Sequence, residues 1–188
     1  NVFINTYCDM LNTVFQPDFL SAHLDSIAEK IEDVVPLHRS KWYNNGNWPN
    51  STVNWESRLS TMETFGNNRR SYAINHLRNE FNLPSLAQLT INISPAGSGT
   101  IDLNTLNVDD DSWAGYYFPG VPVKVEANQN NGYIFSHWLE FPDSNDVMQI
   151  YITNPSTLTA VFYPTELSPG NIVAVSYTHL RAHETSRN

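Results

Sequence analysis

The sequence predicts an α+β protein: a small helical segment of four to five short helices, followed by an antiparallel all-β module. Two observations carry this. After Leu83-Pro84 the apolar residues stop recurring at steps of three and four and begin to alternate. The charge changes at the same place: residues 1–85 hold seven Lys/Arg and nine Asp/Glu, whereas residues 86–174 hold nine Asp/Glu against Lys124 alone.

The helical elements follow from spacing and punctuation. Phe3, Tyr7, Met10, Leu11 and Val14 predict one apolar face of a first helix. Pro17 sits where a first helical turn tolerates a missing N–H, and Leu20, Leu24, Ile27, Ile31 and Val34 form the stripe of a second helix that stops at Pro36. Residues 36–42 read as a turn, and Asn44–Ser51 as a polar loop. Trp55, Leu59, Met62 and Phe65 mark a third helix, capped by Ser51 or Thr52 and ended by Gly66. A fourth restarts at Asn67 or Asn68, with Ile74, Leu77 and Phe81 on one face.

The strands follow. Leu89, Ile91 and Ile93 alternate with polar residues up to the turn Pro95–Gly99, and Ile101 and Leu103 begin the return strand. Further strands are expected at 114–118, 121–127, 133–139, 147–152 and 158–163, separated by Asn-rich or Gly/Pro turns. Trp138 is the expected anchor of this core, because one fully buried indole hides roughly 150–250 Å².

Composition excludes several classes. The 188 residues carry a formal charge of −9, and an acidic chain is a poor match to nucleic-acid phosphates or an anionic membrane surface. Cys8 is the single cysteine, so neither an intrachain disulfide nor a thiolate zinc cluster is available. No apolar run approaches the ~18 residues that a membrane span needs.

Few residues offer chemistry. His179 and His183, at i and i+4 beside Glu184, share a helical face suited to zinc, but the order is not H-E-x-x-H and no third ligand is evident. Asp109, Asp110 and Asp111 lack the spacing that wraps a calcium ion and read as a solvated connection. Arg69, Arg70 and Arg78, with His76 and Glu80, read as a surface helix pairing with neighbouring acids. Cys8 reads as a buried small hydrophobe. Trp113, Tyr116, Tyr117 and Phe118 form an aromatic run. Of these, Trp113 and Tyr117 are candidate ligand contacts, since exposed planar rings suit sugar stacking. No catalytic, cofactor-binding or metal-binding residue is assigned.

Three segments resemble something known. Residues 3–15, the blocks Ile31-Glu32 and Pro36–Arg39, then Trp55-Glu56 with Phe65–Arg69, then Tyr72, His76–Arg78 and Phe81–Leu83 resemble, in order and spacing, the C-terminal helical part of the CotH kinase family. Residues 88–164 are similar to divergent internalin-type B repeats, through Gly120–Ala127, Gly132–Trp138 and Leu158–Phe162. Val175–Thr185 resembles a translated sequencing adapter, so residues 175–188 are set aside as an expected artefact, together with His179 and His183.

The resemblance implies domain boundaries. Residues 1–85 would be the helical C-terminal part of a kinase-like domain, 86–166 the β-rich repeat-like module, and 167–188 a disordered tail. It also implies a secreted or cell-surface bacterial parent that phosphorylates protein Ser/Thr with ATP and Mg. In that family the nucleotide-binding Lys and the catalytic and metal-binding Asp residues precede the helix that opens this chain. The fragment itself is therefore expected to bind no cofactor and to be inactive, with the upstream kinase-like lobe of the same polypeptide as its partner. The alternative expectation is a surface adhesin or glycan-binding β module on a helical scaffold.

Overall fold

A computed structural model describes residues 1–42, 52–141 and 145–165. The expected loop Asn44–Ser51, the tail and the His179/His183 pair lie outside the described residues. The protein is α+β, helices first and strands after, as the change of period predicts. Its contacts define two compact units. One comprises Asn1–Leu89, Gly115–Val123 and Ile150–Ser156; the other comprises Thr90–Ala114, Lys124–Gln149 and the chain from Thr157.

The helices of the first unit are α1 (Val2–Asn12), α2 (Pro17–Ile31), α3 (Val35–Trp42) and α4 (Thr52–Phe81). A 3-10 turn, Glu32–Val34, joins α2 to α3 without interruption, so the described residues hold three helical runs. Pro17 opens α2 as expected, and Asp18 in the first turn and Lys30 in the last complement the helix dipole.

Three expectations are corrected. The turn assigned to 36–42 is helix α3: Pro36 falls in its first turn, where a missing N–H has no partner to lose. The break at Gly66 does not exist, so in place of two short helices α4 runs for 30 residues. Gly66 is buried in this rod facing Leu20 of α2, and that tertiary contact outweighs glycine's weak helix propensity.

The third correction is the face of α1. Its buried residues are Ile4, Asn5, Cys8, Asp9 and Leu11, while Phe3, Met10 and Val14 of the expected stripe are exposed. The helix is rotated by about one residue, roughly 100°, because Asn5 and Asp9 are drawn inward by polar partners. Phe3 and Tyr7 keep a lesser role: the Phe3 ring lies 6.0 Å from Tyr7 and 5.9 Å from Phe81 of α4.

The strands are β1 (Ala87–Ser94), β2 (Gly99–Leu103), β3 (Leu106–Val108), β4 (Ser112–Tyr117), β5 (Pro122–Gln129), β6 (Tyr133–Trp138), β7 (Val147–Tyr151) and β8 (Ser156–Pro164). They form two four-stranded sheets, of order β4-β1-β8-β6 and β3-β2-β5-β7. β2 is antiparallel to β3 and to β5, and β6 to β8. β3 was not expected, being three residues long; the two-residue connection Asn104-Thr105 makes it, with Asn104 at φ 51°.

Burial alternates along the strands. β2 hides Ile101 and Leu103, and β5 hides Val123, Val125 and Ala127. Trp138 is fully buried in the second unit, and its Nε1 donates to the Asn145 carbonyl at 2.9 Å. Phe135 and Phe162 meet edge to face at 5.6 Å beside it.

Candidate functional site

Among the described residues of the first unit, a polar network forms where α1 meets the chain at Tyr116–Pro122. Asn5, Asp9 and Asn12 recur at steps of four and three, so they share one helical face. Asn5 Nδ2 donates to the Pro122 carbonyl at 2.7 Å. Asp9 Oδ1 accepts the Tyr117 hydroxyl at 2.9 Å. Asn12 grips the Tyr116 backbone twice: its Nδ2 donates to the carbonyl at 3.0 Å and its Oδ1 accepts the N–H at 2.9 Å. That amide reproduces the pairing of a neighbouring strand along β4, the outermost strand of its sheet. Arg70 of α4 completes the network, donating to the Leu11 carbonyl at 3.1 Å with its guanidinium 5.9 Å from the Tyr116 ring centre.

The electrostatics are those of a sealed junction. Asp9 is 1% exposed and Tyr117 0%. Burial, then the Asp9 charge, push the Tyr117 hydroxyl well above the usual phenol range, so it stays a donor. Burial, with Asp9 next in line, pushes the Cys8 thiol up to about 12. A thiol so held is no nucleophile at neutral pH. Chemically this network fastens; it does not expose a base or an acid to a substrate.

Among the described residues, concavities lie on the helices. A groove of about 500 Å³ runs between α2 and α4, with Leu20, Leu24, Ile27, Met62 and Phe65 among the side chains that line it. A second cleft, of about 570 Å³, has Phe3 and Tyr7 of α1 on one side and Arg69, His76, Glu80 and Phe81 of α4 on the other. In the second unit, the outward side of β2, β3 and β5 is polar. There, Asp102 accepts from Asn107 Nδ2 at 2.6 Å and from Asn128 Nδ2 at 3.0 Å, and Lys124 pairs with Glu126 at 2.8 Å.

Of the two residues singled out as ligand contacts, Trp113 is half-buried on β4, and Tyr117 is wholly buried with its hydroxyl committed to Asp9. The Tyr117 ring offers no face to a sugar. Asp111, just before β4, braces the turn that precedes β2, its Oδ1 accepting the Gly97 N–H at 2.7 Å, while Asp109 and Asp110 are exposed. Arg70 turns to a carbonyl and a ring instead of an acid, and Arg69 is exposed. Asn5, Asp9 and Asn12 were missed by the sequence reading. Their signal was present: three polar residues at steps of four and three, on one face of a largely apolar helix.

Residues 1–73 match the family model described as CotH kinase protein. No curated protein and no solved structure matches the chain. Asp9, the buried acid of the helices, gives an oxygen to Tyr117, and no group of three or more His, Cys, Asp or Glu converges among the described residues. Among the described residues, no helix is long and apolar enough to cross a membrane.

Proposed function

We propose that residues 1–85 are the C-terminal helical part of a CotH-type kinase-like domain in a larger secreted or cell-surface bacterial protein. The observation that carries this is the extent of the similarity: residues 1–73 take in α1, α2, α3 and most of α4, a whole helical layer rather than one motif. In this reading the parent transfers phosphate from Mg-ATP to protein Ser/Thr, and an upstream lobe of the same polypeptide supplies every group that touches nucleotide or metal. The helices brace that lobe. The β strands form a repeat-like module, and α1 is fastened to the stretch Tyr116–Pro122 of its own unit through Asn5, Asp9 and Asn12.

The test has two arms. The purified chain is titrated with millimolar Mg-ATP while its thermal unfolding is followed, and no upward shift is expected; a saturable shift overturns the division of labour. The longer reading frame that includes the upstream lobe is then incubated with γ-labelled ATP and a generic protein substrate. Label on Ser/Thr supports the reading, and its absence with a folded lobe sinks the kinase assignment.

A further inference from the structure

We propose that Asn131 is a self-modification site, where the backbone nitrogen of Gly132 closes on the Asn131 side chain and converts it to aspartate and isoaspartate. Residues 130–132 connect β5 to β6, and the Tyr133 N–H donates to the Asn130 carbonyl at 3.0 Å, closing a turn with Asn131 and Gly132 at its centre. Both central residues are exposed. Among the described residues, neither the Asn131 carboxamide nor the Gly132 N–H has a hydrogen-bond partner. Gly132 has φ 87°, and a Cβ placed there would meet nothing within 4 Å. With no side chain and open space around it, its peptide plane is free to swing until the nitrogen reaches Asn131 Cγ. The neighbouring asparagines lack these freedoms. Asn107 and Asn128 give their amides to Asp102, Asn130 gives its own to the Gly97 carbonyl, and Asn104 accepts the Lys124 N–H. Each of those four is also followed by a residue with a side chain.

The chemistry needs only water. The Gly132 nitrogen gives its proton to solvent base and bonds to Asn131 Cγ. The Cγ–Nδ2 bond breaks, ammonia leaves, and a cyclic succinimide remains. Water then opens the ring at either carbonyl. Opening at Cγ leaves aspartate, and opening at the backbone carbonyl leaves isoaspartate, with the chain running through Cβ. Either product puts a carboxylate where a neutral amide stood. The isoaspartyl form also lengthens the backbone inside a turn whose ends are tied: the Asn130 N–H to the Ser98 carbonyl at 3.0 Å, and the Gly132 carbonyl to the Thr165 N–H at 2.8 Å. The proposal does not depend on the kinase-like reading.

The test is incubation of the folded chain in mildly alkaline buffer at physiological temperature, followed by tryptic mapping with fragment mass spectrometry. Cleavage after Lys124 and Arg181 separates Asn131 from Asn45-Gly46, the other Asn-Gly pair of the sequence, which falls between Lys41 and Arg58. Asn131 is expected to gain one mass unit at least about tenfold faster than Asn128 or Asn130, with isoaspartate among the products. Asn131→Gln, which keeps the glycine and the turn, should abolish that gain. A parallel sample unfolded in guanidinium chloride measures what the bare sequence does. If the unfolded chain reacts at Asn131 while the folded chain stays intact, the turn protects the residue and the proposal is overturned. Equal rates at Asn128 or Asn130 in the folded chain, or an unchanged gain in Asn131→Gln, overturn it as well.

Discussion

The Tyr117 hydroxyl donates to Asp9 Oδ1 across 2.9 Å, and both side chains are sealed from water. A buried carboxylate is costly unless donors surround it, so this bond stabilises more than an exposed one would. Tyr117→Phe removes the donor while keeping the ring. It is expected to destabilise the fold by ~1–3 kcal/mol in urea unfolding. Asp9→Asn keeps an acceptor oxygen for the hydroxyl and should cost less. A neutral Tyr117→Phe would mean that Asp9 draws its support from elsewhere.

The same junction makes stability fall at alkaline pH. Cys8 has an ordinary thiol value of 9.0, raised by burial to about 12 in the fold, and Tyr117 is raised above its ordinary 10.0. Both hold their protons more tightly folded than unfolded. Their stabilisation is therefore full below about pH 9 and is lost as pH climbs from there through the folded values. Each group contributes a slope of up to ~1.4 kcal/mol per pH unit in its window. Urea unfolding at pH 8 and pH 10.5 should show the fall, and Cys8→Ala should make it shallower. A Cys8→Ala slope equal to wild type would contradict the assignment.

Much of this fold was legible and the site was not, for a physical reason. Alternation located seven of the eight strands, because a strand's burial pattern is local to it. The helices needed information from outside themselves. Gly66 looked like a stop until α2 was laid against it, and Pro36 like an end until the 3-10 turn passed the chain on to α3. The face of α1 was misjudged because apolar spacing was read and polar spacing was not. Asn5, Asp9 and Asn12 find their partners more than 100 residues away.

Asn12 tests whether α1 shields the outer edge of β4. Its amide satisfies both the N–H and the carbonyl of Tyr116, groups that an edge strand otherwise offers to other chains. Asn12→Leu leaves both without that partner and is expected to cost ~1–3 kcal/mol. It should also raise light scattering over hours at concentrations where wild type stays clear. Asn12→Gln, longer by one methylene, should not restore the paired geometry. Wild-type solubility in Asn12→Leu would show that the edge is protected by something else.

Gly66 offers a prediction of the opposite sign. It lies inside α4, and a glycine in a helix interior is worth ~0.5–1 kcal/mol less than alanine because the unfolded chain is freer. A Cβ placed there would meet Leu20 Cβ at 3.6 Å and Leu20 Cδ1 at 3.7 Å, which is ordinary contact. Gly66→Ala should therefore stabilise the protein by ~0.5–1 kcal/mol and raise its melting temperature. Gly99→Ala is the control, because a Cβ there would lie 2.5 Å from the Asn128 carbonyl oxygen, against backbone that cannot yield cheaply. That variant should lose stability by ~1–3 kcal/mol. If Gly66→Ala also lost stability, α2 and α4 would have to approach more closely than Leu20 and Gly66 now do, and the groove between them would be narrower than its lining implies.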